Sequence, residues 1–202
     1  MAFNENTRVK IPALIHLTRI GYIYFSLKDK NYIFDPTTNI ITNIFTQQIR
    51  ALNPEATEDS IAQELQNIQE ELNFDDLGRA FYNRLLGKGD GSLKLIEWDE
   101  FNKNTFHVTT EQTNKNGEDE FRPDLTVFIN GLPLSFIEVK KPNNPEGIKA
   151  ERDRIHSRFK NEKFRRFINA TQLIVFSNNM EYDDTDNHKL IGAFYATTAK
   201  NT

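Results

Sequence analysis

The chain has 202 residues, 38% of them hydrophobic and 27% charged, with 16 Phe and 6 Tyr; this is enough apolar material for the core of one sizeable domain and excludes a mainly disordered chain. Cysteine is absent, which removes disulfides, thiolate metal sites and cysteine nucleophiles, and no apolar run approaches the roughly 18 residues a membrane helix needs. The net charge of −4 hides an asymmetry: Lys140 to Arg166 holds ten Lys/Arg against four Asp/Glu, a balance of +6, leaving −10 elsewhere.

Thr7 to Arg19 carries Val9, Ile11, Leu14, Ile15 and Leu17 at helical spacing, with Pro12 tolerated near the start, and Gly21 ends it. Tyr22 to Leu27 reads as a strand and Asp35-Pro36 as a turn. Helices are expected over Ile40 to Ala51, over Asp59 to Leu72 with Ser60 as the start signal, and over Phe74 to Leu86, which Gly87 closes. The second half changes to β-rich runs: Leu93 to Trp98, Phe106 to Thr113, Leu125 to Asn130, Leu134 to Lys140 and Leu173 to Ser177, with Thr113 to Glu120 as a loop. A basic, mainly helical block, Lys149 to Ile168, lies between the last two runs. The expected class is α/β, a mixed central sheet with a crossover helix on one face. Trp98 is expected in the core, and His107 and His156 as structural or surface residues.

The chemistry concentrates in one hairpin. Asn130-Gly131 between two hydrophobic runs is a strong turn signal, because both residues accept positive φ. A three-residue loop centred on Gly131 pairs residues whose numbers sum to 262, setting Asp124 opposite Glu138; a two-residue loop shifts the register by one. Strand alternation puts Glu138 and Lys140 on one side and Val139 on the other. Two adjacent carboxylates suit a hard divalent cation, and a nearby lysine suits activation of water at a phosphodiester. Unless paired or bound, an acid and a lysine at the end of a buried strand cost stability.

The run from Phe121 through Arg122-Pro123-Asp124, Asn130-Gly131-Leu132-Pro133-Leu134 and Ile137-Glu138-Val139-Lys140-Lys141-Pro142 resembles the PD-(D/E)XK nucleases. More narrowly, it resembles the N-terminal nuclease region of the R subunit of type I restriction-modification systems. Glu5 to Pro12 and His16 to Tyr22 are similar to the start of such subunits, so the resemblance covers nearly the whole chain. It implies a restriction-endonuclease-like core with added N-terminal helices, and one nuclease domain over 1–202 whose helical 1–92 portion packs on a 93–200 catalytic sheet. It also implies Mg²⁺, with Mn²⁺ able to substitute, held by Asp124, Glu138 and the Val139 carbonyl, with Lys140 as the catalytic lysine. Some relatives add an acid on the first helix, for which Glu5 is the candidate. Many R subunits carry a Gln-x-x-x-Tyr element on the helix after Glu-x-Lys; Asp153 to Phe159 lacks it.

The basic block is then expected to grip phosphates without reading bases, with Arg152, Arg154, Arg158, Arg165 and Lys141 leading, while Ile155 and Phe159 face the core. R subunits are ATP-driven translocases. Here no phosphate loop occurs: Gly87-Lys88-Gly89 lacks the upstream Gly and the following Ser or Thr. The expectation is a nuclease domain whose motor modules, with their ATP site, lie elsewhere in a longer subunit. Its expected partners are double-stranded DNA and the methyltransferase and specificity subunits, and its expected setting is the cytoplasm, off the membrane. The alternative is a non-catalytic DNA-binding or assembly module that keeps the fold. A small-molecule phosphatase is disfavoured by the basic block.

Overall fold

The structure is a computed structural model and describes residues 5–88, 91–141, 147–177 and 194–196. The first helix opens with a π-helical turn, Asn6–Lys10, and continues as α1 (Ile11–Arg19) with Pro12 in its first turn. Three more helices follow the short strand β1 (Ile23–Tyr24): α2 (Thr42–Leu52), α3 (Glu58–Glu71) and α4 (Arg79–Leu85). The expected cap at Ser60 moves to Thr57, whose hydroxyl oxygen accepts from the Ser60 N–H (3.1 Å). The helix expected from Phe74 begins only at Arg79. Gly78, at φ 81°, breaks the run, and the Asp76 carboxylate accepts the Gly78 and Ala80 N–H groups. No side chain fits at Gly78, where a Cβ would lie 2.5 Å from the Asn169 carbonyl oxygen.

The sheet strands are β2 (Phe106–Thr110), β5 (Leu125–Ile129), β6 (Leu132–Val139), β7 (Leu173–Ser177) and β8 (Phe194–Ala196), in the order β1-β2-β5-β6-β7-β8. The β1/β2 and β6/β7 pairs are parallel and the others antiparallel, so the expected mixed α/β sheet is present. The basic block forms α5 (Gly147–Phe159), which makes the crossover from β6 to β7, then a 3₁₀ turn, Glu162–Phe164, and α6 (Arg165–Ala170).

Two further expected elements changed. Thr113 to Glu120 contains a small hairpin, β3 (Asn114–Asn116) and β4 (Asp119–Phe121), turned at Gly117 with φ 66°. Its polar side chains carry no apolar alternation, so the sequence pattern is that of a loop. Leu93 to Trp98 joins no sheet, although Leu95 and Ile96 are buried. Asparagine side chains take its backbone groups: Asn53 bonds both the N–H and carbonyl of Lys94, Asn130 donates to the Leu95 carbonyl, and Asn104 accepts from the Glu97 N–H. Trp98 is therefore not a core aromatic. It is 55% exposed, its indole N–H donating to the Leu85 carbonyl at 3.2 Å.

The core has layers. Phe45 and Ile49 of α2, Ile61 and Ile68 of α3, and Phe81 and Leu85 of α4 pack on Leu132 and Leu134 of β6. Further along the strand, Phe136 meets Ile155 of α5, Ile168 of α6, and Ile174 and Phe176 of β7. On the other face of the sheet, Val9 of the π-turn and Leu14 and Leu17 of α1 cover Val108, Leu125, Val127 and Val139. No helix among the described residues is long and apolar enough to cross a membrane.

Candidate active site at the end of the central hairpin

The hairpin turn has two residues, not three. Asn130 (φ 51°) and Gly131 (φ 82°) both occupy the left-handed region, and the close approach of α2 excludes any side chain at Gly131, where a Cβ would meet the Ile41 carbonyl oxygen at 2.7 Å. Ile129 faces Leu132 and Phe128 faces Pro133, but after an irregularity Val127 faces Ser135, Thr126 faces Phe136 and Leu125 faces Ile137. Leu134 is the extra residue of a β-bulge. A one-residue slip moves every side chain to the opposite face, and the bulge supplies that slip once. Without it Asp124 would fall opposite Ile137, away from Glu138. Continued one residue past the Leu125–Ile137 pair, the shifted register brings Asp124 opposite Glu138, by a different route from the three-residue turn.

Asp124 lies just before β5 and is held at both oxygens. Oδ2 accepts the Val139 N–H at 2.9 Å, and Oδ1 lies 2.9 Å from the Lys10 ammonium. The N–H and carbonyl of one strand residue point to the same edge, so the Val139 carbonyl faces the Asp124 side. Glu138 is 5% exposed, and its Oε1 has no hydrogen-bond partner. Burial, then the charges of Glu151 and Asp124, push its carboxyl up to about 8, against the downward pull of Lys140.

Lys140 continues the β6 backbone, its N–H donating to the Ser177 carbonyl at 2.8 Å. Its ammonium lies 3.0 Å from Glu151 Oε2. Glu151, 1% exposed on α5, also pairs with Arg154, and Arg158 Nη1 stands 3.8 Å from its Oε1. The Arg158 guanidinium stacks 3.9 Å above the Phe121 ring, a cation–π contact. Glu151 was missed by sequence reasoning. Its signal is positional: it stands four residues before Ile155 and eight before Phe159, on the core-facing stripe of α5, where an uncompensated acid does not belong. Lys10 and its other partner, Glu111, were missed as well, because no local pattern joins residues so far apart in the chain.

The structure therefore brings Asp124, Glu138 and Lys140 together and adds Glu151, Lys10 and Glu111. Arg154 and Arg158 approach through Glu151. Arg152 pairs with the neighbouring Asp153 at 3.0 Å, and Lys141 is exposed just past the strand. Arg165 turns the other way, to the Asn73 carbonyl and Glu162. Glu5 precedes the π-turn as its N-cap, with no side-chain capping hydrogen bond. Among the described residues no three Asp, Glu, His or Cys side chains converge as a metal cluster. The oxygens that could serve a cation are those of the two carboxylates and a strand carbonyl, a hard-oxygen set, and the orphaned, buried Glu138 Oε1 would fit such an ion. His107 is buried in the sheet beside Phe25 and Tyr32, remote from this chemistry in role.

Residues 2–189 match the family model described as type I restriction enzyme R protein N terminus. A protein of Methanocaldococcus jannaschii, named as the type I restriction enzyme MjaIXP endonuclease subunit, is 30% identical over 168 residues, which cover 72% of this chain and 16% of that protein. Two further proteins of that organism, named as the MjaVIIP and MjaVIIIP endonuclease subunits, are 44% and 40% identical over 48 and 55 residues, or 24% and 27% of this chain and 4% and 5% of theirs. The chain thus spans a small part of the length of the relatives it matches.

Proposed function

The chain belongs to the family of type I restriction enzyme R protein N termini, and on that premise we propose that it is a nuclease domain that hydrolyses phosphodiester bonds of double-stranded DNA with the help of Mg²⁺. The observation that carries the reading is the bulge-corrected register, which sets Asp124 opposite Glu138 with Lys140 on the same face. Asp124, Glu138 and the Val139 carbonyl would hold the cation, and Mn²⁺ would serve in its place. When bound, it neutralises charge on the phosphate and lowers the pKa of a bound water.

The protein's own groups do the rest. Asp124 is aimed by the Val139 N–H, which fixes the carboxylate to the strand it faces. Lys140, anchored through its backbone to β7 and through its ammonium to Glu151, is held beside the acids, where it orients the attacking water and steadies charge developing at phosphorus. Glu151 is a positioning residue: it acts through Lys140. Arg154, Arg158, Arg152 and Lys141 lie on or next to the helix that borders the site and would contact DNA phosphates; Arg165 would contribute at a greater remove. Translocation, ATP use and sequence recognition would fall to other domains and to methyltransferase and specificity subunits, with the present chain forming one nuclease domain of a longer cytoplasmic protein.

A second reading, a non-catalytic module that keeps the fold, draws on one observation: the ion pair between Lys10 and Asp124 neutralises one of the two acids. Supercoiled-plasmid nicking by the full assembly with ATP and Mg²⁺ decides between the two. Asp124→Ala is expected to abolish cutting without unfolding the domain; undiminished cutting by that variant would remove the catalytic assignment.

A further inference from the structure

We propose that Lys10 is a resident counter-ion of the two-acid site, one that competes with the divalent cation for Asp124 and yields when a phosphate arrives. The inference rests on the reading of Asp124 and Glu138 as a cation site. Lys10 ends the π-helical turn, a rare geometry that recurs at functional positions. Its neighbour Val9 is buried among Val108, Leu125, Val127 and Val139, which pins the turn against the sheet face opposite Glu138. From there the side chain, only 12% exposed, reaches Asp124 Oδ1 at 2.9 Å and hydrogen-bonds Glu111.

The two acids are consequently unequal. Asp124 has both oxygens engaged, one by an ammonium and one by a strand N–H, while Glu138 keeps an orphaned oxygen. Each Asp124 oxygen keeps a second lone pair for a cation bridging the acids, but of its two present partners the Val139 N–H belongs to the backbone and cannot swing aside, whereas the Lys10 ammonium can. An ammonium and a divalent ion sharing one carboxylate would stand about 4 Å apart and repel in a half-buried site. Lys10 must therefore leave Asp124 as the cation enters. Glu111, more exposed and also 3.2 Å from Arg122, retains the displaced ammonium near the site. A DNA phosphate offers that ammonium a new anion, so Lys10 couples cation entry to substrate arrival.

Mn²⁺ titration of the full-length subunit without DNA, followed by the electron-spin resonance of the free ion, tests this directly. Binding lost in both Asp124→Ala and Glu138→Ala identifies the site and separates it from any other. Lys10→Met is expected to tighten that binding at least about tenfold, Lys10→Arg to leave it near wild type, and a short DNA duplex to tighten the wild-type chain more than Lys10→Met. Should Lys10→Met not fold, Glu111→Gln still decides: it removes the competing anchor, leaves Lys10 to Asp124 alone and weakens Mn²⁺ binding. Asp124-dependent binding that Lys10→Met or Glu111→Gln leaves unchanged overturns the counter-ion role while the cation site stands. Absence of Asp124-dependent binding in both the wild type and Lys10→Met overturns both.

Discussion

Two buried charge clusters in this molecule follow opposite rules. In the helical layer, Arg84 of α4 forms bonds of 2.6–3.1 Å to both oxygens of Glu64 and both of Glu71, and every charged atom has a partner. At the end of β6, Glu138 and Arg158 each keep a buried polar atom without a hydrogen bond, and three cations crowd one carboxylate, Glu151. Desolvation is costly at both places. The first cluster closes its hydrogen bonds; the second leaves some open, as the proposed cation site would require. Completeness of bonding, more than burial or charge, distinguishes the two.

The comparison can be broken in several places. The largest expected effect is on cleavage: Asp124→Ala or Lys140→Ala lowers plasmid nicking by the full assembly at least about 10²-fold, whereas Arg84→Met retains the rate per folded molecule. For stability the order reverses. Arg84→Met leaves the buried Glu64 and the half-buried Glu71 without their cation and is expected to cost about 3–5 kcal/mol in urea unfolding, far more than Lys140→Met; similar losses for the two would remove the distinction. Glu138→Gln goes the other way. The Glu138 carboxyl takes up a proton on folding, because its value rises from 4.5 to about 8, so it costs nothing below its ordinary value and progressively more as pH climbs. With divalent cations chelated, Glu138→Gln should stabilise the protein by about 2–4 kcal/mol at pH 8, and the gain should vanish near pH 4. Gain at both pH values would place the effect in packing instead. The smallest effect concerns His107, which burial holds below its ordinary value of 6.5. Its contribution is present above that value and lost as pH falls through the lowered one, so His107→Phe should flatten the acid limb of the stability curve slightly.

Much of this was legible along the chain. The strand Leu173 to Ser177 begins and ends where its β-branched and aromatic run does, and α2 and α3 fall within two residues of their apolar periodicity. Asp124, Glu138 and Lys140 stood out because charged residues at the ends of apolar strands are locally anomalous. What escaped were features whose cause lies at a distance. Leu93 to Trp98 has the side chains of a strand but is bonded by Asn53, Asn104 and Asn130 from three other segments. The shortening of α4 follows from Asp76 and from the approach of Asn169 to Gly78. Glu151 needed the placement of α5 over β6 before its partners could be named.

By itself the sequence determined the alternation of elements, the turn at Asn130-Gly131 and the residue types at its far end, because periodicity, positive φ and the burial preference of charge are local properties. Only the tertiary structure decided which of those residues meet. The two-residue turn set one register, the bulge at Leu134 replaced it with another, and that shift carried Asp124 to the face of Glu138. The packing of Val9 against the sheet then delivered Lys10 to the same carboxylate from a segment more than a hundred residues away. Bulges and interlayer ion pairs depend on what the rest of the fold allows, which no window of sequence contains.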